Sequence, residues 1–258
     1  MRKYIYELVR RRDLIVTLVV SGLKAQHKNT ILGYFWWILD PLLGVLVYYF
    51  LRIVLLGAAG ENIEVFLAVG LVSWRWVTAT VPASTRSISK ESSLITKVYL
   101  PKFIFPLALN ISQMINFAFS VVVVAAFLVV FRVAPTWKIL WFPYIVFSQF
   151  VFLLALSLFF AYIGAFVKDI ENVMRHIMRF WFYGSPVIWE TGRLPARYHW
   201  IVDINPASAF LGSFRNIFMH GADPQFFKLN VIIAASVVLI AFMLFYYSRN
   251  EHRIIKAL

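Results

Sequence analysis

Six long apolar stretches, at residues 31–56, 65–84, 104–131, 139–167, 172–189 and 229–248, leave this chain few alternatives to a membrane. A helix needs roughly 20 apolar residues to cross a hydrocarbon core about 30 Å thick. Each stretch meets or approaches that length. The 258 residues are 61% hydrophobic and mean hydropathy is positive, a balance no soluble globular class shares. The expected fold is an all-α membrane protein with six transmembrane helices. Three regions follow: a cytoplasmic interface helix in 1–30, the spanning domain over 31–248, and a short basic tail at 249–258.

Positive charge sets the orientation. With the N-terminus in the cytoplasm, segments 1–30, 85–103, 168–179 and 249–258 are cytoplasmic and hold 17 of the 25 lysines and arginines. The outer loops 57–64, 132–138 and 190–228 hold six, and Arg52 and Arg75 lie within spans. The asymmetry predicts both termini inside. It also accounts for the net charge of +13, through sorting and contact with anionic lipid, without invoking nucleic acid. There is no cysteine, hence no disulfide and no thiol chemistry. The run 14–23 has the length of a signal-peptide core, but Lys24, Gln26, His27 and Lys28 follow it instead of small residues, so no cleavable leader is expected.

The N-terminus reads as an amphipathic helix on the inner membrane surface. Leu8, Val9, Ile15, Val16, Val19, Val20 and Leu23 share one side, and Arg10, Thr17, Ser21, Lys24 and Lys28 the other. Its apolar core is too short to span. Two roles fit: an anchor for the first span, or a collar whose Arg10, Arg11, Arg12, Lys24 and Lys28 meet a phosphorylated lipid head group. Between spans two and three, residues 86–102 combine helix-start chemistry (Ser89, Glu91, Ser92, Ser93) with an apolar face of Leu94, Ile95, Val98 and Tyr99. A short helix there is either a plain connector or a surface for a soluble partner to press on.

The outer segment 185–228 is long and apolar. Asn205-Pro206 is a strong helix start, with Asn as cap and Pro at the first helical position. Phe210, Leu211, Phe214, Ile217 and Phe218 follow at helical spacing, and Gly221 ends the run. That face needs burial but 207–219 cannot span, so a re-entrant helix is expected, with a second short helix over 195–204.

Two spans carry costly residues. Arg75 sits between Trp74 and Trp76 in span two, where a charge costs roughly 2.5–3.5 kcal/mol to insert. Asp40 precedes Pro41 in span one, and the proline should kink or interrupt that helix. An Arg75–Asp40 ion pair or a water-filled path would each offset the cost. Arg52 lies near the outer end of span one and can snorkel, so no special role is assigned to it. Aromatics cluster at 34–37 and 180–183; interface belts explain many, while aromatic faces also suit sugars and acyl chains. Tyr34, Trp37, Asp40, Trp74, Arg75, Trp181 and Tyr183 are the candidate lining of a path.

Motifs for bond-making chemistry are missing. There is no G-x-x-x-x-G-K-[ST] loop and no G-x-S-x-G elbow, and His27, His176, His199, His220 and His252 are scattered without metal-ligand spacing. No catalytic residue, bound metal or cofactor is assigned to the chain.

Taken in order, the basic amphipathic N-terminus, LGYFWWILDPLL (32–43), ITKVYLPK (95–102), FVKD (166–169), SPVIWE (185–190), Asn205-Pro206 and FRNIF (214–218) form a recognisable series. The chain resembles the permease subunit of type-2 ABC exporters of the polysaccharide-export branch, over essentially its whole length from Arg12 onward. It departs from the pattern at Arg75 and at Trp189-Glu190. The resemblance implies a subunit that exports lipid-linked O-antigen, capsule or teichoic-acid polymer and performs no hydrolysis itself. It implies a homodimer with the path between the copies, two separate ATPase subunits holding ATP and magnesium, and a polyprenyl-pyrophosphate-linked glycan as cargo. It implies that Glu91, Ser92, Ile95, Lys97, Val98, Tyr99, Leu100 and Pro101 dock into the ATPase. It also implies an external hairpin carrying Pro186, Asn205 and Pro206; with Phe210, Phe214 and Arg215 of the same segment these residues either gate the outer mouth of a path or pad a subunit contact.

The main alternative is a sister permease for a drug or small lipid. An ATP-independent secondary transporter would usually show paired intramembrane acids, which are lacking here, and a membrane glycosyltransferase would need a catalytic loop.

Overall fold

Backbone surrounded by lipid has no water to bond, so it must satisfy itself, and the chain does so with helices. The computed structural model describes residues 11–26, 30–55, 57, 60, 62–95 and 100–257, without the side chains of 193 and 255–257. Among them there is no strand. The elements are α1 (Arg12–Gln26), α2 (Trp36–Tyr49), α3 (Ile63–Ser84), the short α4 (Ser92–Ile95), α5 (Ile104–Val130), α6 (Phe142–Phe166), α7 (Ile170–Tyr183), α8 (His199–Ile204), α9 (Pro206–Arg215) and α10 (Phe226–Ala257). The chain is an all-α membrane protein.

Among the described residues, five helical segments have the length and apolarity to span: Gly33–Leu55 (α2 with its flanking turns), Ile63–Ser84, Ile104–Val130, Trp137–Phe166 and Phe226–Ile254. The sixth expected crossing, 172–189, differs. Its helix α7 is only 14 residues, about 21 Å long. Met174, Met178 and Phe182 form its buried stripe, while Arg175, His176 and Arg179 stand exposed, so the run is amphipathic rather than apolar all round. Gly184, Ser185 and Pro186 then end the helix. The chain continues to Glu190 without helical bonding, and the two parts together travel the length of the bundle. At one end Glu171 pairs with Arg86, just past α3. At the other, Glu190 pairs with Arg52, whose guanidinium lies 5.3 Å from the ring of Phe66 near the start of α3. Phe66 and Arg86 are about 30 Å apart along that helix.

Helix α3 is the central post. It is buried along most of its length, whereas α2 and α10 are buried along little of theirs. Val65, Val69, Val72, Trp76 and Val81 meet Phe117, Leu153, Phe210 and Phe214 in the main core. Trp76 stacks on Phe117 with centroids 4.6 Å apart. Close backbone contact fixes the other crossings: a Cβ on Gly164 of α6 would lie 1.8 Å from the Thr85 carbonyl oxygen. The Tyr247 hydroxyl of α10 donates to the Leu158 carbonyl of α6 at 2.9 Å. The exposed valines and phenylalanines of α2 and α10 face outward, as surfaces for acyl chains or another subunit do.

The N-terminal helix packs against protein. Gly22 faces Ser112, and the Gln26 side chain accepts from Asn116 at 2.9 Å. These contacts are four residues apart on both helices, so α1 runs parallel to the first half of α5. Leu14, Leu18 and Val19 take the inner side, while Val16 and Val20 stay exposed. Pro41 lies inside α2 without ending it and borders an open cleft.

Candidate functional site

Three helices that fail to close against one another leave a cleft of about 540 Å³. Helix α2 contributes Asp40, Gly44 and Tyr48, α3 contributes Trp74, Arg75 and Thr78, and α7 contributes Arg175, Arg179, Phe182 and Tyr183. The helical register explains the grouping. Residues 71, 74, 75, 78 and 82 are spaced three and four apart on one face of α3, and 175, 178, 179 and 182 do the same on α7. Trp74, Tyr48 and Phe182 pack against one another: Trp74 lies 5.9 Å and Tyr48 5.4 Å from Phe182, centroid to centroid.

Arg75 Nη2 is 2.9 Å from Asp40 Oδ2, and both side chains remain 40–45% exposed. The ion pair, one of the two offsets, is formed, and it borders an open cavity. The pair also borders a second cavity of about 260 Å³ that holds Gln26, Trp37, Gln113 and Asn116. Asp40 and Arg75 therefore form a shared wall.

At the far end of α7 the arginines have the opposite character. Arg215 and Arg52 are each 6% exposed. Arg215 donates to the Pro186 carbonyl at 2.6 Å and the Val187 carbonyl at 2.7 Å, with its guanidinium 3.5 Å from the Phe66 ring centroid. Arg52 donates to the Ile188 carbonyl at 2.7 Å and to Glu190 Oε1 at 3.0 Å. Carbonyls orphaned by the end of α7 are thus taken up by two guanidiniums. Gly70 lets the stretch lie against α3, because a Cβ there would sit 2.5 Å from the Val187 oxygen. Asn205 completes the lock. Its Oδ1 accepts from Ala207 N at 3.0 Å, capping α9, and from Trp181 Nε1 at 2.8 Å, while its Nδ2 donates to Ser185 Oγ at 2.8 Å. Pro206 is the first residue of α9.

Of the candidate lining residues, Asp40, Trp74, Arg75 and Tyr183 meet in the large cleft and Trp37 borders the second cavity. Tyr34 is exposed on the turn before α2, against Trp37. Trp181 instead packs on Trp74 and bonds Asn205. The candidate gate residues come together as a packed plug in which Phe210 and Phe214 are 1% exposed. Of the candidate docking residues, Glu91, Ser92 and Ile95 lie on the turn and helix after α3, and Leu100 and Pro101 precede α5, while Lys97, Val98 and Tyr99 lie outside the described residues. Ile95 and Leu100 are buried with Tyr247 and Ile254 of α10. Lys102 is fully buried: its Nζ donates to the Leu100 carbonyl, and its backbone amide donates to the Glu251 carboxylate. Burial pulls the Lys102 ammonium below the ordinary lysine range, with the Glu251 charge pulling the other way. In the candidate collar, Arg12 and Lys24 are exposed and Arg11 is half-buried; Arg10 and Lys28 lie outside the described residues.

Sequence reasoning misses one pair and one single arginine. Arg175 and Arg179 were counted only as inner-side charge, although their four-residue spacing marks a shared face. Arg52 was set aside as a snorkelling side chain. No local signal identifies it, because its partners are 136 and 138 residues away in the chain.

Comparison with known proteins bears on the whole chain. The sequence profile of the ABC-2 type transporter family matches residues 13–219. A protein of Klebsiella pneumoniae called O-antigen export system permease protein RfbA is 29% identical over 217 residues, 84% of each chain. One of the same name from Myxococcus xanthus is 29% identical over 242 residues, 93% of each chain.

Proposed function

The chain belongs to the ABC-2 type transporter family, and from that premise we propose that it is the permease subunit of an exporter of lipid-linked polysaccharide, O-antigen or a polymer like it. The relatives' names supply the cargo class. The observation that carries the reading to this chain is the cleft between α2, α3 and α7. It combines cationic groups with aromatic walls, and it lies beside the exposed apolar residues Leu43 and Val47 of α2 and Val173 and Ile177 of α7. An amphiphile with a charged, sugar-bearing head and an acyl tail needs such a surface.

In this reading two copies meet along the α2–α7 side, enclosing a path. The cargo enters from the cytoplasm, where both termini lie, and leaves past the α8–α9 hairpin. Two ATPase subunits holding ATP and magnesium dock on residues 86–102. Ile95 and Leu100 are buried against α10, so a push there reaches the bundle through packed side chains. Energy enters through the partner's different affinity for ATP in its two states, and no covalent step falls to this chain.

Deleting the gene tests the function directly. Polymer should accumulate on its lipid carrier in the cytoplasm and vanish from the surface, and the wild-type gene should restore it. Normal surface polymer in the deletion strain would overturn the reading; loss of drug efflux instead would point to the small-lipid permease. Docking is tested by Tyr99→Glu, which should release the ATPase on co-purification while the permease stays folded; Leu100, buried against α10, is left unchanged.

A further inference from the structure

We infer that the cleft between α2, α3 and α7 is a binding site for a phosphate-ester anion, held by Arg75, Arg175 and Arg179. The inference deepens the permease reading and rests on it for the identity of the cargo, though not for the binding itself.

Charge imbalance is the first ground. Three guanidiniums line the cleft, and Asp40 is the single carboxylate among its lining residues. Arg75 is held by Asp40 at 2.9 Å. Arg175 leans away to Asn172 at 2.6 Å and Glu171 at 3.6 Å, and Glu171 is itself engaged by Arg86. Arg179 has no ion pair among the described residues. One monovalent acid cannot balance this set, whereas a mono- or diphosphate carries the charge and the oxygens to receive several guanidinium forks.

Concavity is the second ground. Trp74, Met178 and Phe182 form an apolar wall beside the three arginines, so one ligand in the cleft meets guanidiniums of α3 and α7 at once. The collar residues are placed differently. Arg12 and Lys24 are exposed on the outside of α1, and the Arg12 guanidinium lies 3.8 Å from its neighbour Asp13. The cleft thus stands beside the collar as a head-group site. Asp40 acts there as a built-in competitor, since any phosphate oxygen that reaches Arg75 must displace or share it.

The experiment uses the full chain with its ATPase partner in nanodiscs of neutral phospholipid. The probes are a polyprenyl diphosphate in the bilayer, inorganic pyrophosphate in the water, and phosphatidylglycerol as a lipid of simple negative charge; occupancy is read by native mass spectrometry and Trp fluorescence. Arg179→Gln and Arg175→Gln should each weaken diphosphate binding by about tenfold, with Arg179→Lys intermediate because it keeps the charge and loses the fork. Asp40→Asn should tighten it by about threefold by removing a like charge, whereas a purely structural ion pair predicts loss. Arg12→Gln and Lys24→Gln should change it by less than about twofold. Binding of the lipid diphosphate alone assigns a membrane-borne head group, and equal, arginine-dependent binding of inorganic pyrophosphate assigns a soluble one. Wild-type binding in both arginine variants overturns the inference, as does a parallel loss of phosphatidylglycerol. If gene deletion traps polymer but diphosphate binding ignores these arginines, the inference alone fails. If deletion traps nothing, the cargo reading fails while the binding result stands.

Discussion

Arg175 and Arg179 stand in the middle of α7 with exposed side chains, whereas Arg52 and Arg215 close on the stretch just past its last turn and are buried. One short helix thus separates two uses of the same side chain. Along the helix the guanidiniums line an open cleft; beyond its end they are consumed by the carbonyls of Pro186, Val187 and Ile188. A charge in a membrane protein is commonly read as a functional mark. Here the deciding quantity is what each guanidinium already bonds. A cation that satisfies orphaned carbonyls replaces helix hydrogen bonds and holds the fold, while a cation with spare donors in a cavity is free for a ligand.

The sharpest way to break this comparison is Arg215→Ala. It removes two short charged hydrogen bonds and leaves their carbonyls buried, so a loss of about 4 kcal/mol is expected. Unfolding in detergent measures it; a loss below about 1 kcal/mol would mean that the lock does not hold the bundle. Gly70→Ala tests the same lock from the α3 side. Its Cβ would meet the Val187 oxygen and the Arg215 guanidinium, and about 2 kcal/mol should be lost as the stretch is pushed away. Asn205→Ala should cost about 1–2 kcal/mol through the α9 cap and the Trp181 bond, with a change in Trp fluorescence as a local readout. Arg179→Gln is the contrasting case: stability within about 0.5 kcal/mol of wild type, with polymer export nevertheless reduced. Equal destabilisation by Arg179→Gln and Arg215→Ala would erase the distinction between the two ends of α7.

Much of the fold was legible because it follows from local chemistry. Helices over 104–130 and 142–166, the Asn205-Pro206 helix start and the turn at Gly221 each rest on apolar run length or on capping by residues near in sequence. The interruption of 172–189 was less legible. Its apolar residues at 177–178, 180–183 and 187–189 suggest a span, and only the grouping of Arg175, His176 and Arg179 opposite Met174, Met178 and Phe182 shows that one face is polar. In the candidate site, Asp40 and Arg75 were found from the cost of charge in lipid, and their pairing followed as one of two options. Arg175 and Arg179 were visible as charges but not as neighbours of that pair, since three separate helices must pack before the cleft exists.

The amino-acid order alone determined that this chain is helical and membrane-spanning and where most helices start and stop, because burial of apolar runs and capping act over a few residues. Which arginines are spent and which remain available was decided only in the folded bundle. Arg52 meets Ile188 and Arg215 meets Pro186 and Val187 across the packed helices, and a hydrogen bond between distant segments exists only once packing has fixed both partners within about 3 Å.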